Sequence, residues 1–188
     1  MRWFAQRSEL LPDVLLNICR TLQPVSGYGG IGVIESQVSD TASEYQPAVY
    51  HWAQRLPGLE PDYPGVHSIC LRGLRGSKPG IKGGGWLTVL GDHFTAELGG
   101  ADKIEADLAA LDERFLVRRY EGGLLIQAGP KPELGDAEQN RWPELYVKLA
   151  KLLKPIRVTD HYPFQYGGHG LRFDHERSVA WLRRFDDK

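Results

Sequence analysis

The sequence has 188 residues, 41% of them hydrophobic and 25% charged, which is typical of a globular protein that buries a core. Its formal net charge of −1 excludes a strong overall attraction to nucleic acid or to an anionic membrane. No stretch approaches 18 consecutive apolar residues, and residues 1–7 lack the apolar core of a signal peptide. We therefore predict a single domain over residues 1–188 in the cytoplasm, with no membrane segment and no direct nucleic-acid partner.

The first predicted element is a helix from Pro12 to Leu22, because Pro12 suits a first turn and Pro24 ends the helix. The glycine-rich residues 27–35 follow and predict a turn that runs into a short strand. Cys19 and Cys70 both lie among apolar residues, so we expect buried free thiols. The sequence alone does not exclude a disulfide between them. Along the first predicted helix, apolar residues recur at helical spacing and are expected to face the core: Leu11, Leu15, Ile18, Cys19 and Leu22.

A second predicted helix starts near Pro47. Thr41 and Glu44 have the spacing of a capping box, but a helix beginning there would contain Pro47, which lacks the backbone N–H that a helix interior needs. The helix is predicted to end at residues 56–58, and residues 58–65 then predict a loop. Four side chains of this helix are expected in the core: Val49, Trp52, Ala53 and Leu56.

The rest of the chain alternates short strands and helices. Residues 77–85 predict a loop, residues 86–90 a buried strand, and Asp92 is expected to cap a short helix that ends at Leu98. The lack of a strict βαβ rhythm predicts an α+β fold, with a small mixed or antiparallel sheet and several packed helices. The later predicted elements are a helix around Ile104, Leu108 and Leu111, two strands over residues 115–120 and 124–128 joined at Glu121-Gly122-Gly123, a helix with an apolar stripe from Trp142 to Leu153, and a last helix from about Asp174.

Two glycine motifs match nucleotide-binding sequence patterns, but the residues and predicted elements around them do not fit such a site. Gly27, Gly29 and Gly32 have the spacing of the dinucleotide fingerprint, which must follow a strand and open a helix. Here a predicted helix precedes the motif and a strand follows it. The triple glycine at 83–85 is not followed by the Gly-Lys-Ser/Thr of a phosphate loop. Turn glycines explain both motifs better than a nucleotide site does.

Histidines and carboxylates are dense in one late part of the sequence: Asp160, His161, His169, Asp174, His175 and Glu176. Such side chains bind metals, but their spacing matches no standard zinc pattern, and Asp174 is also needed as a helix cap. The sequence has no Gly-x-Ser-x-Gly elbow for a hydrolase nucleophile. We therefore predict no catalytic residue, no metal ligand and no cofactor, and keep a small metal-dependent enzyme built on this cluster as an alternative.

Seven short segments, in register over nearly the whole chain, carry a family resemblance. In chain order they are residues Gly27–Ser36, Leu56–Leu59 with Asp62–Pro64, Gly80–Lys82 leading to Trp86–Asp92, Leu98–Gly100, Ile126–Pro130 with Leu134–Asp136, Leu153–Arg157, and Trp181–Asp186. With these segments the sequence resembles the type VI secretion system immunity protein family, formerly a domain of unknown function. Members of that family are antitoxins linked to effectors with nuclease domains of the VRR type.

The resemblance implies a cytoplasmic antitoxin that is not an enzyme. Such a protein takes part in interbacterial competition: it binds a cognate secreted toxin, here a nuclease effector, and neutralises it by occluding the active site or substrate cleft. Members of the family usually carry further strands ahead of the segment that matches residues 2–4. The resemblance therefore implies that an N-terminal layer is missing here, or that this chain starts at a later methionine.

The toxin-binding surface is predicted from charge. Between Val33 and Val66 five acids face one base, Arg55, which leaves four negative charges. Nuclease clefts are positively charged to hold phosphates, so an acidic patch that contains aromatic residues can fill one. The candidate toxin-binding residues are Glu35, Glu44, Tyr45, Tyr50, Glu60, Asp62 and Tyr63. In the alternative interpretation, these acids merely keep the protein soluble.

One further alternative function is a scaffold subunit of the secretion machinery. The sequence does not distinguish a monomer from a homodimer, and it does not identify the toxin.

Overall fold

The computed structural model describes residues 7–33, 42–61, 68–69, 71–74, 76–167 and 169–188. Contacts divide the chain into two compact units, each assembled from three segments. The sheet unit comprises Met1–Gly30, Gly84–Glu133 and Glu144–Ile156, and the helical unit comprises Ile31–Gly83, Leu134–Pro143 and Arg157–Lys188. The single domain expected from the length remains a prediction.

The secondary structure of the described residues is α+β, as predicted. In chain order the elements are α1 (Leu11–Leu22), β1 (Ser26–Gly29), α2 (Ala42–Arg55), β2 (Leu87–Gly91), α3 (Asp92–Glu97), α4 (Ala101–Leu111), β3 (Phe115–Tyr120), β4 (Gly123–Ala128), α5 (Glu144–Leu153) and α6 (His175–Leu182), with short 3₁₀ turns at Ser8–Leu10, Ala137–Gln139 and Lys154–Ile156.

The sheet unit is built on four antiparallel strands in the order β1-β2-β4-β3. In β2, which lies between β1 and β4, all five residues are buried, in agreement with the buried strand that was predicted there. β3 and β4 form the predicted hairpin, with Tyr120 opposite Gly123 at the turn. Trp86, which precedes β2, is buried, and its Nε1–H donates to the Gly129 carbonyl at 2.9 Å.

Helices α1, α3, α4 and α5 belong to the same unit. Ile104 and Leu108 of α4 are buried, and α5 buries most of its length. Gly84 lies so close to α5 that a Cβ atom there would come within 2.7 Å of the Leu149 and Leu153 side chains. This glycine of the 83–85 run therefore permits close packing, in keeping with the structural explanation of that motif.

The helical unit has its own core, in which α2 and α6 pack with irregular segments. Phe164, Phe173 and Trp181 contact one another, with ring centroids 5.6 to 6.2 Å apart. Asp174 caps α6 as predicted, because its side chain accepts a hydrogen bond from the Arg177 N–H. The other buried members of this core are Ala53, Leu59, Val158 and Leu182.

Three predictions about local structure are wrong. Helix α2 begins at Ala42 rather than near Pro47, so Pro47 lies inside it. Burial of Gln46 and Val49 on either side of the proline anchors the helix despite the lost backbone bond. Asp92 is the first residue of α3 rather than its cap, and the cap position is occupied by Gly91. Trp52, Ile18 and Leu22 are exposed rather than in the core.

The glycine motif at 27–32 does not form a dinucleotide-binding turn: it begins in the sheet, and Gly32 makes a separate backbone pairing with Glu60. Gly27 and Gly29 lie in β1, paired with Val89 and Leu87 of β2. Cys19 is a buried free thiol, and burial raises its pKa; Cys70 lies outside the described residues. None of the described helices combines the length and apolar character that are needed to cross a bilayer.

Candidate protein-binding surface

Helix α2 divides its residues between the core and the surface. Gln46, Val49 and Ala53, at helical spacing, are buried. The Gln46 side chain also donates to the Tyr166 carbonyl oxygen at 2.9 Å, which ties the helix to a distant part of its unit. The helix is therefore a fixed support for the residues that it presents outward.

We define the α2 outer face as the exposed residues Glu44, His51, Trp52, Gln54 and Arg55. Trp52 leaves 54% of its surface accessible, which is unusual for the largest apolar side chain. Trp52 was predicted to lie in the core, because its spacing from Val49 and Leu56 suits a buried stripe. Its exposure depends on which neighbours pack on α2, and periodicity does not report that.

Among the predicted toxin-binding residues, Glu44, Tyr45 and Tyr50 lie on this helix. Glu44 is exposed and makes no ion pair within the described part of the chain. Tyr45 is half-buried. Tyr50 is half-buried too, with its ring 5.0 Å from that of Phe173, so part of it belongs to the core. These three residues share one element, as expected from their sequence proximity.

Glu60 is not the exposed loop acid that the charge pattern suggested. Its side chain is 10% exposed, and Oε2 accepts a hydrogen bond from Lys82 Nζ at 2.5 Å. Its backbone pairs with the segment around Gly32, so the described part of the predicted loop, residues 58–61, is buried. The burial of Glu60 was not predicted, because the residues that pack and pair with it are distant in sequence. Glu35, Asp62 and Tyr63 lie outside the described residues.

Paired charges flank the end of α2. Arg55 donates to Asp136 Oδ2 at 3.2 Å and lies 3.5 Å from Glu138. Burial acts to raise the pKa of Asp136, but the hydrogen bond and charge of Arg55 hold it below its ordinary value. Asp136 therefore remains ionised as the Arg55 partner, and this end of the helix has little net charge.

The late histidine and carboxylate cluster is only partly brought together. His175 Nε2 and Asp160 Oδ1 are 2.6 Å apart, whereas His161 is fully buried with its ring against Phe164. Asp174 is occupied as the cap of α6. Over the described ranges, no group of three or more His, Cys, Asp or Glu side chains is placed to hold a metal ion.

Comparison with known proteins identifies the family. The family model TsiV, described as type VI immunity for VRR-NUC, matches residues 1–185. The chain belongs to the TsiV family. The resemblance found in the seven sequence segments is thereby confirmed.

A solved structure supports this assignment. The TsiV chain superposes on a Pseudomonas aeruginosa T6SS protein with a TM-score of 0.84 and 27% sequence identity. The match covers 98% of this chain and 50% of the Pseudomonas protein, so the chain spans half the length of that relative. Comparison with curated proteins gave no match.

Proposed function

We propose that this TsiV protein neutralises a VRR-type nuclease effector by binding it through the α2 outer face and covering its substrate cleft, and that it acts by binding rather than by catalysis. The observation that carries the proposal is the exposure of Trp52 on a helix that is anchored in its unit by the buried residues Val49 and Ala53. Tryptophan is enriched among the residues that dominate protein–protein binding energies, since one ring buries a large area at small entropic cost.

The support for Trp52 is rigid, which favours its role as an anchor. Val49 and Ala53, on the buried side of α2, are almost inaccessible, and Gln46 is hydrogen-bonded to the Tyr166 carbonyl. A partner that covers Trp52 therefore immobilises few further torsions, and the entropic cost of binding is reduced.

The charge of the α2 outer face also favours the proposed partner. A nuclease cleft that holds phosphates is positively charged and attracts an acidic surface. Glu44 supplies a negative charge on the α2 outer face, and Tyr45 and Tyr50 supply aromatic area beside it. Glu35, Asp62 and Tyr63 remain in the proposed surface on sequence grounds. Glu60 is proposed to support the surface from beneath through its ion pair with Lys82.

The test compares two truncations of exposed apolar side chains, one on each unit. Trp52→Ala removes the proposed anchor, and Ile18→Ala on α1 is the control, since Ile18 is 45% exposed. We expect Trp52→Ala to weaken binding to the purified effector nuclease by about 30-fold or more, because central aromatic anchors typically cost at least 2 kcal/mol. Ile18→Ala should stay within about twofold. Calorimetry and a plasmid-cleavage inhibition assay provide the two readouts.

The outcomes are distinct. Loss of inhibition in Trp52→Ala with unchanged thermal unfolding supports the proposal. Unchanged binding by Trp52→Ala together with weakened binding by Ile18→Ala would place the interface on the sheet unit. Binding of the wild-type protein without any effect on DNA cleavage would contradict the occlusion of the substrate cleft.

A further inference from the structure

Helix α1 of the sheet unit carries apolar side chains on two of its sides. On one side, Leu16 and Cys19 are buried. The other side presents Val14, Ile18 and Leu22, which are 41%, 45% and 70% exposed. Because residues four apart lie one above the other on a helix, these three side chains form a single row along α1. We call this row the α1 stripe.

The α1 stripe is part of a larger apolar surface. Val25, three residues after Leu22 and just beyond the end of the helix, is 57% exposed. Isolated exposed apolar side chains are common on soluble proteins and need no explanation. The stripe and Val25 together expose about 400 Å² of surface, and a contiguous apolar patch of that size often marks an interaction site. The α1 stripe is therefore a candidate docking surface.

The charges of α1 lie away from the stripe. Asp13 and Arg20 project from another side of the helix, at least 100° around its axis from their neighbours in the stripe. Asp13 pairs with Arg118 of β3, and Arg20 donates to the Asn17 side-chain oxygen at 3.2 Å. An apolar surface can thus cover the stripe without burying a charge. A highly charged partner would find no opposite charge on the stripe to pair with.

The order of residues along the α1 stripe is complementary to itself. In an isologous dimer both copies contribute the same surface around a twofold axis. When two α1 helices lie antiparallel with the axis at Ile18, Val14 of each copy lies opposite Leu22 of the other, and Ile18 lies opposite Ile18. Rows of residues spaced by four pack into one another's grooves in the commonest helix–helix contact of globular proteins. Each aliphatic side chain of the stripe then contacts another aliphatic side chain.

We propose that the α1 stripe is the contact surface between two copies of this chain, arranged antiparallel about Ile18. The inference goes beyond the proposed function and does not depend on it, because it concerns self-association alone. The exposed apolar side chains of two copies would bury roughly 800 Å² in total, an area that is typical of weak and reversible complexes. The dimer should therefore form at high protein concentration and dissociate on dilution.

Charge substitutions at Ile18 test the position of the axis. Ile18→Glu should weaken self-association by about 100-fold or more, because two like charges would face each other across the axis. Ile18→Lys alone should weaken it to a similar extent. An equimolar mixture of Ile18→Glu and Ile18→Lys should associate again as a mixed dimer, since opposite charges then meet. Sedimentation equilibrium at rising protein concentration measures each case, and thermal unfolding should hardly change because Ile18 is exposed.

The matched control is Leu111→Glu at the end of α4, since Leu111 is 41% exposed. Helices α1 and α4 contact opposite faces of the sheet. Consecutive strand residues point to opposite faces, and Arg118 pairs with Asp13 of α1 whereas Arg119 pairs with Glu105 of α4. We therefore expect Leu111→Glu to self-associate like the wild-type protein, within about twofold.

Four results would overturn the proposal. The first is a wild-type protein that stays monomeric at the highest soluble concentration. The second is a dimer that Ile18→Glu leaves intact, which would place the contact elsewhere, and the third is a mixture of the two charge variants that stays monomeric. The fourth is weaker effector binding by Ile18→Glu when the wild-type protein alone is monomeric, since the effector would then be the occupant of the stripe.

The effector measurements stay separate from this test. Binding of the effector by Ile18→Ala is compared with that by the wild-type protein below the concentration at which the dimer forms, so that the comparison reports effector contacts alone. A dimer that responds to the Ile18 charge variants as expected supports the proposal whether or not the effector binds through the α2 outer face.

Discussion

Lys82 and Glu60 form a buried ion pair in the helical unit, with 2.5 Å between Nζ and Oε2 and with side chains that are 5% and 10% exposed. Each partner lies at or next to a residue whose backbone pairs with a separate segment of the chain. Glu60 pairs through its backbone with the segment around Gly32, and Ile81, next to Lys82, pairs with Arg157. The ion pair therefore links two otherwise irregular segments of this unit.

Removal of one partner of this pair should destabilise the protein. We expect Lys82→Met to lower the free energy of unfolding by about 3 kcal/mol, because it leaves the Glu60 carboxylate buried with Arg184 as a more distant cation. The double variant Lys82→Met/Glu60→Leu should recover much of this loss, since no buried charge is left. Urea unfolding of the single and double variants measures the coupling. A loss under about 1 kcal/mol in Lys82→Met would show that the pair is not buried in solution.

Tyr120 should make stability depend on pH at alkaline values. Burial, with smaller effects from Cys19 and Asp92, raises the pKa of Tyr120 to about 12 from 10.0. Between these values the unfolded chain has lost the phenolic proton and the folded protein retains it, so stability falls as the pH rises from 10 to 12.

Tyr120→Phe removes this dependence. The Tyr120 hydroxyl has no hydrogen-bond partner within the described residues, so its removal should leave stability near pH 7 unchanged or slightly higher. The measurement is the difference between the two proteins in unfolding free energy from pH 7 to pH 11.5. A constant difference over that range would contradict the raised pKa.

Gly123 should tolerate no side chain. Its φ is +155°, and a Cβ atom there would lie 2.2 Å from the Leu90 carbonyl oxygen. We expect Gly123→Ala to cost about 2 to 3 kcal/mol, because β2 and β4 must separate at this point. Gly100→Ala is the control, since Gly100 also has a positive φ but open space around it. Urea unfolding measures both losses in unfolding free energy. If the two losses are equal, the cost arises from the backbone conformation and not from the clash.

The role of Glu44 can be tested by association kinetics. Under the proposed function, Glu44→Lys should slow association with the effector by about tenfold at low salt, because it reverses a charge that attracts the nuclease cleft. Added salt should slow the wild-type protein toward the variant. Thermal unfolding should hardly change, since exposed charges contribute little to stability.

The matched control for Glu44 is Glu113→Lys, the same reversal at an exposed acid of the sheet unit. Stopped-flow mixing at two salt concentrations compares the three proteins. If Glu113→Lys slows association as much as Glu44→Lys does, the effect reports net charge alone, and the solubility interpretation of these acids is preferred.

Local signals predicted the sheet unit well. The apolar run before Gly91 predicted the buried strand β2, and Glu121-Gly122-Gly123 predicted the hairpin of β3 and β4. Both depend on residues that are near one another in the sequence. The ends of these elements follow the prediction to within about one residue.

Predictions that depend on long-range contacts were less successful. Trp52 was expected in the core and is exposed, and Glu60 was expected on the surface and is buried against Lys82. Neither position follows from periodicity or charge pattern, because each depends on segments more than 20 residues away. The family, in contrast, was recognised from short motifs along the whole chain.

The interleaving of the two units has a consequence for protein synthesis. All three segments of the sheet unit lie before residue 157, whereas the helical unit includes residues 157–188 and takes Phe164, Phe173 and Trp181 of its core from them. Chains emerge from the ribosome N-terminus first, and compact units fold as their residues become available. The sheet unit can thus finish folding while α2 still lacks the core that supports it. Under the proposed function, a chain that is truncated before α6 therefore gives no protection against the effector.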